Sequence, residues 1–347
     1  MFHTTIERRT LIFKRPATTS RGTYDTRTIR LIRITADEQP GIEGVGECSP
    51  LPDISCDAMD ETDFDMLLVA VCEDFCETGH IDREALRPYP SILFALESAM
   101  WQLRRGGSEI LSDTPFGRGE TGIPINGLVW MGTFDEMMAR MGEKVRTGFH
   151  CVKLKIGGID FAHELQMVSA LRSCFDKSKI ELRLDANGAF ATADALKRLE
   201  ALAQYDIHSI EQPIRQGQWD AMSRLCAESP IPIALDEELI GVNEPQRKAE
   251  MLDKIHPQYI ILKPTLHGGL SGAKEWIDMA KERGIGSWVT SALESNVGLN
   301  AIAHFAAEVY GPNVTMPQGL GTGQLFTENI PMPIHIEGQQ LFAGTEK

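Results

Sequence analysis

"CVKLKIGG", residues 151–158, sets Lys153 and Lys155 into a run that is otherwise apolar. Strand side chains alternate, so the two lysines share one face while Val152, Leu154 and Ile156 share the other. Two ammonium groups on one face of a buried strand are costly unless carboxylates or a bound anion lie opposite. On this octapeptide alone, an edge strand with a wet lysine face is the preferred reading. The flanking sequence has to discriminate.

Outward from this stretch one pattern repeats. "PINGLVW", "CVKLKI", "IELRLDAN", "HSIEQP", "IPIALDE", "YIILKP" and "GSWVTSALE" read as strands, separated by helical stretches such as 193–204 and 270–283. Alternating strands and helices predict a parallel sheet with crossover helices. Seven or eight such units over about 200 residues predict a closed barrel rather than an open doubly wound sheet. No GxGxxG follows the first strand and no GxxxxGKS/T occurs, which argues against a nucleotide-binding fold.

Each strand stops at a charge. The charges are Lys155, Asp185, Glu211, Asp236 with Glu237, Lys263 and Glu294, spaced by 30, 26, 25, 27 and 31 residues. In a parallel barrel these C-terminal strand ends converge on the face that carries active sites. Asp185, Glu211 and Asp236 would repel one another at close range unless a divalent cation joined them. Hard oxygen donors with no His or Cys cluster nearby point to Mg²⁺ or Mn²⁺ rather than zinc. Lys155 and Lys263 would face the metal-bound ligand from opposite sides, an arrangement suited to removing the proton next to a carboxylate. Lys153 supplies the neighbouring positive charge that a lysine base needs near neutral pH. Arg183, two residues before Asp185, also points inward, either to neutralise carboxylates or to serve the site. Asn187 in "DANG" is a turn asparagine or a partner of the site.

Composition narrows the function class. The 347 residues carry 34 basic and 49 acidic side chains, a net charge of −15, which argues against a nucleic-acid or anionic-membrane partner. The seven cysteines show no CxxC spacing, as expected for reduced thiols in the cytoplasm. The N-terminal stretch has charges where a signal peptide needs an apolar core, and no apolar run approaches membrane length. A small-molecule carboxylate is the expected partner.

Residues 1–118 differ in pattern from the rest of the chain. "TIERRTLIFKRP" and "TIRLIRIT" alternate as antiparallel strands do, with a polar loop, residues 17–27, between them. A helix is expected from Ser91, as N-cap after Pro90, to Gly106–Gly107. The reading is an α+β capping domain over 1–118, a barrel domain over 119–320, and a tail over 321–347 that returns to the first domain.

"KLK" at 153–155, "LDANG" at 184–188, "IEQP" at 210–213, "LDE" at 235–237 and "ILKP" at 261–264 together resemble the enolase superfamily in its muconate-lactonising subgroup. The resemblance spans the chain and implies an α/β fold, a modified (β/α)₇β TIM-type barrel with an α+β capping domain. It implies Asp185, Glu211 and Asp236 as Mg²⁺ ligands, Lys155 as the base, Lys263 as the opposing cation, and Lys153 as support for Lys155 and the substrate carboxylate. "KPTLHGG" (263–269) and "SALESNVGL" (291–299) are most similar to the subgroup's dehydratase of menaquinone biosynthesis. Its dipeptide epimerases usually carry Asp-x-Asp where this chain has Ser291, Ser295 and Asn296, so both serines, with Arg183, are candidate substrate contacts. The loop around Gly22 resembles the one that closes over substrate. An N-acylamino-acid racemase or dipeptide epimerase is the alternative enzyme. A barrel that binds an acidic ligand without catalysis is disfavoured because no acid or base position is missing, and a Schiff-base aldolase would not need three converging carboxylates.

Overall fold

The computed structural model of the chain describes residues 1–18, 22–130 and 132–345. Strands β1 (Phe2–Thr18), β2 (Thr23–Ala36) and β3 (Glu43–Cys48) form an antiparallel sheet in that order. Helices α1 (Glu61–Thr78) and α2 (Pro90–Arg104) pack against it. Ile32 and Ile34 from β2, Phe64 and Leu68 from α1, and Leu93 and Leu96 from α2 share one core. The β3 sequence "EGVGEC" explains how close the helix comes: a Cβ on Gly46 would stand 1.8 Å from the Ala95 carbonyl oxygen. Only glycine leaves room for that approach.

Two expectations for this part change. The polar stretch 17–27 is not one open loop, because Ala17 pairs with Tyr24 and Thr18 with Thr23 in a long hairpin. Its tip, residues 19–21, lies outside the described residues. Ser91 is not the cap of α2: Tyr89 holds that position without a side-chain hydrogen bond, and Pro90 begins the helix, where its missing N–H costs nothing. The Ser91 N–H and Oγ instead both donate to Asp57 Oδ2, at 2.9 and 2.6 Å.

Burial pushes the Asp57 carboxyl up to about 6, despite the bonds from Ser91. Between about pH 4 and pH 6 the folded chain therefore keeps a proton that the unfolded chain has released. Stability falls as pH rises through that window, by up to about 3 kcal/mol from this group. Asp57→Asn should remove that part of the slope when unfolding free energy is measured by urea titration at both ends of the window. An unaltered pH dependence in a folded variant would refute the assignment.

From β4 (Ile123–Pro124) and β5 (Gly127–Val129) onward the chain alternates. The order is α3 (Phe134–Arg146), β6 (Cys151–Lys155), α4 (Phe161–Cys174), β7 (Glu181–Asp185), α5 (Thr192–Ala203) and β8 (Ser209–Glu211). It continues through α6 (Trp219–Glu228), β9 (Ile233–Leu235), α7 (Pro245–Ile255), β10 (Tyr259–Leu262), α8 (Gly269–Glu282), β11 (Gly286–Val289) and α9 (Asn296–Val309). Strands β5 to β11 lie side by side in chain order in a seven-stranded sheet, each pair parallel. The sheet curls on itself. Ile125, ahead of β5, bridges Gln318, and Thr290, after β11, bridges Gly319, so one short segment touches both edges. The outward faces of the strands and the inward faces of the helices form the largest core, from Val152 and Leu154 to Ile302 and Phe305.

The last residues divide. Leu325 and Thr327 exchange backbone hydrogen bonds with Lys14 and Ile12 of β1, each at 2.8 Å. Strands β12 (Ile334–Glu337) and β13 (Gln340–Ala343) form a hairpin whose second strand pairs with β4. Among the described residues no helix is long and apolar enough to cross a membrane.

Candidate active site

The alternation in "CVKLK" turns Lys153 and Lys155 toward the inside of the curled sheet. Register then places the acids. Lys155 is level with Asp185, and Asp185 is level with Glu211, so three successive strand ends bring their charges to one rim. Glu211 is level with Ala234, which puts Asp236 just beyond β9, and Lys263 follows directly on β10. The sequence places these six side chains on one face, and the structure brings them together.

The contacts are ionic and buried. Lys153 Nζ lies 2.9 Å from Asp185 Oδ2 and 2.5 Å from Glu211 Oε2. Lys155 Nζ lies 3.2 Å from the same Asp185 oxygen and donates to Asn187 Oδ1 at 2.7 Å. Lys263 Nζ pairs with Asp236 Oδ2. All six side chains line a cavity of about 700 Å³, with Asn187, Glu237, Trp130 and Leu293 among its other walls. Leu51 and Ile54, from the segment after β3, close it from the N-terminal side.

Charge states follow from burial against pairing. Burial disfavours the Lys153 ammonium, but Asp185, Glu211 and Asp236 outweigh it and hold its pKa above the usual lysine range. For Lys263 burial is likewise outweighed, here by Asp236, Glu211 and Glu237, and its pKa is raised. Asp185 is lowered: burial opposes ionisation, yet Lys153 and Lys155 more than offset it. Asp236 is lowered in the same way, with burial outweighed chiefly by Lys263. Glu211 goes the other way, raised well above a normal carboxyl by burial and by Asp185.

Several supports carry no obvious mark in the sequence. Gln212 of "IEQP" accepts the backbone N–H groups of Asp236 and Glu238, fixing the turn after β9. His267 Nδ1 accepts the Lys263 N–H at 2.9 Å, and burial pushes this imidazole down to about 3, so it is neutral and acts as an acceptor. Asn187 adopts a left-handed φ of 44° and also donates to Glu237 Oε1 at 2.9 Å, so it is both turn residue and site partner. Trp130 stands with its ring centroid 5.9 Å from Lys155 Nζ. Only the Glu in "LDE" and the turn asparagine give a signal that local reading registers.

Other candidates lie elsewhere. Ser291 lines the cavity and donates to Glu294 Oε2. Glu294 is not a strand end: β11 stops at Val289, and Glu294 is wholly buried, accepting from Thr265, Ser291 and the Ala292 N–H. Ser295 does not line the cavity; it caps α9 and donates to Glu47. Arg183 lies beneath, its guanidinium 4.4 Å from the Trp288 ring centroid and bonded to Glu181 and the Pro317 carbonyl. It is outside the cavity wall, although Trp288 lines it. Gly22 sits beside Asp53, and Lys14 to Ala17 are the hairpin residues that line the cavity.

The donor set suits a hard divalent cation. Among the described residues no three His, Cys, Asp or Glu groups are already disposed to hold a metal ion, and lysine ammonium groups pair with Asp185, Glu211 and Asp236. Glu211 Oε1 and Asp236 Oδ1 are nonetheless buried without a hydrogen-bond partner, an expense that a cation would remove.

A model of the family described as enolase C-terminal domain-like matches residues 136–337. The chain is also 45% identical to o-succinylbenzoate synthase of Desulfotalea psychrophila, over 94% of this chain and 95% of the relative. This chain belongs to the enolase superfamily. Within it the place is the muconate-lactonising subgroup. The crystal structure of MenC from Desulfotalea psychrophila superposes with a TM-score of 0.82 at 40% identity, covering 99% of each chain. The L-Ala-D/L-Glu epimerase of Bacillus subtilis shares the fold, with a TM-score of 0.81 at 23% identity over 99% of this chain and 96% of the epimerase. A superfamily member with this rim of lysines and carboxylates has the groups needed for carbon-acid chemistry.

Proposed function

We propose that this chain is an o-succinylbenzoate synthase, a Mg²⁺-dependent hydro-lyase that dehydrates 2-succinyl-6-hydroxy-2,4-cyclohexadiene-1-carboxylate to o-succinylbenzoate in menaquinone biosynthesis. The observation that carries the reading is the 45% identity to a synthase of that name over nearly the whole chain. We read the curled sheet as a modified (β/α)₇β barrel over 119–320 and residues 1–118 as its cap. Of the tail, only the stretch around Leu325–Thr327 returns to the cap, while the β12–β13 hairpin joins β4 of the barrel segment.

In this reading Asp185, Glu211 and Asp236 hold Mg²⁺, which would polarise the substrate carboxylate when bound. Lys155 takes the proton α to that carboxylate. The same ammonium then delivers a proton to the departing hydroxyl on the same face, so the C–H and C–O bonds break, a C=C bond forms and water leaves. Lys263, held beside Asp236, stays charged and stabilises the enediolate electrostatically. Lys153 keeps Asp185 and Glu211 oriented and faces the substrate carboxylate. Apolar walls at Leu51, Ile54 and Leu293 exclude water from the ring. A racemase would need proton transfer from both Lys155 and Lys263. The test is turnover of the cyclohexadiene substrate, followed by loss of its absorbance. The expected result is dehydration at an ordinary enzyme rate, on the order of 1–10³ s⁻¹. No dehydration alongside racemisation of an N-succinylamino acid would overturn the proposal.

A further inference from the structure

The cavity wall formed by residues 291–293 does not support itself. Leu293 lines the cavity in a left-handed conformation, φ 66°, which an L-residue with a branched side chain adopts only under constraint. Part of that constraint is local, from Glu294 and from the Ser291 Oγ that accepts the Leu293 N–H at 3.1 Å. The rest arrives from the N-terminal sheet. Arg27 of β2 is buried and donates to three backbone carbonyls: Nε to Leu293 at 3.3 Å, Nη1 to Pro50 at 2.7 Å, and Nη2 to Ser49. Glu47 of β3 is fully buried at the N-terminus of α9. It accepts the Ser295 N–H and the Gly298 N–H, each at 3.0 Å, and the Ser295 hydroxyl.

These contacts span more than 240 residues of sequence and hold both ends of the turn: Arg27 at Leu293 and Glu47 at Ser295. The buried carboxylates of Glu47 and Glu294 both favour the Arg27 guanidinium, against the cost of burying it. Its other two carbonyls, Ser49 and Pro50, lead directly into Leu51, a second cavity wall. One side chain thus ties two wall segments of the cavity, at Leu51 and Leu293, to the same sheet.

We propose that Arg27 and Glu47 are positioning residues that set substrate specificity from the N-terminal sheet, by fixing the 291–295 turn and the Leu51 segment around the non-reacting part of the substrate. Neither touches the reacting atoms. Loosening them should therefore act on substrate binding rather than on proton abstraction. The choice of substrate rests on the dehydratase reading; the geometry of the clamp does not.

The test uses full-length Glu47→Gln and Arg27→Lys, which keep size or charge, with Ser295→Ala as a milder third variant. Expected for Glu47→Gln and Arg27→Lys is a rise in KM of about tenfold or more with kcat within about threefold, and a smaller KM rise for Ser295→Ala. Hydrogen exchange read by mass spectrometry should be at least about tenfold faster over 291–298 and unaltered in β10. A purely structural role would lower the amount or melting temperature of folded enzyme while leaving both KM and local exchange as in the wild type, and that result overturns the proposal. An unchanged KM with faster exchange overturns it too, since the turn would then move without consequence for substrate. If the wild type turns over no cyclohexadiene substrate, the dehydratase reading fails instead, and KM is read with whichever substrate it does accept.

Discussion

Lys155→Ala should lower the dehydration rate by about 10⁴-fold, the upper end of what a positioned general base contributes. Its ammonium is held at two points, by Asp185 Oδ2 and Asn187 Oδ1, and it opens on the cavity beneath Trp130. Lys263 comes from the opposite side of the rim and is anchored on Asp236, so it cannot take over the same face of the substrate. The two lysines should therefore respond differently. Lys263→Ala removes a cation that only has to stay close to developing negative charge, a loss of about 10²–10³-fold. Lys263→Arg keeps that charge on a poor proton carrier, so it should dehydrate faster than Lys263→Ala if the guanidinium fits. Dehydration rate for each variant, with deuterium exchange at the α-carbon of an N-succinylamino acid, separates base from electrostatic partner. Near wild-type dehydration by Lys155→Ala would falsify the assignment.

Removing a carboxylate from the rim should have the second-largest effect. Asp185→Asn, Glu211→Gln and Asp236→Asn should each weaken Mg²⁺ binding by at least about 100-fold, more than loss of an outer partner of a metal ligand costs. Turnover should nearly vanish. Fold must be checked alongside, because Asp185 compensates both Lys153 and Lys155, and removing one member of a buried pair destabilises by about 3–5 kcal/mol. Near-ultraviolet circular dichroism reports the fold, and calorimetric Mg²⁺ titration reports the site. In the wild type, exhaustive chelation should abolish turnover and Mg²⁺ should restore it. Full activity after chelation would refute the metal reading outright.

The sequence by itself determined the rim. Strand alternation assigns Lys153, Lys155, Asp185 and Glu211 to inward faces, and a spacing of one βα unit brings successive strand ends level in a parallel sheet. Both rules are local or nearly so, which is why five of the six strand-end charges are legible in the sequence. Glu294 is the exception, because "GSWVTSALE" continues to look extended after β11 has ended at Val289. Nothing within that stretch signals that Glu47 and Arg27, far away in the chain, draw it into a turn. The same distance hides the role of Ser295, a candidate substrate contact by sequence and the cap of α9 in the fold. Arg183 faces inward as alternation requires, but alternation sets direction and not depth, and packing on Trp288 keeps it below the cavity. The strands of the β1–β2 hairpin are legible from their alternation, but its end within 17–27 reads as a loop because the polar residues there give no periodic signal, whereas cross-strand pairing sets its form. Tertiary structure alone decided which apolar side chains wall the cavity, since Leu51, Ile54 and Leu293 come from segments whose meeting depends on the whole fold.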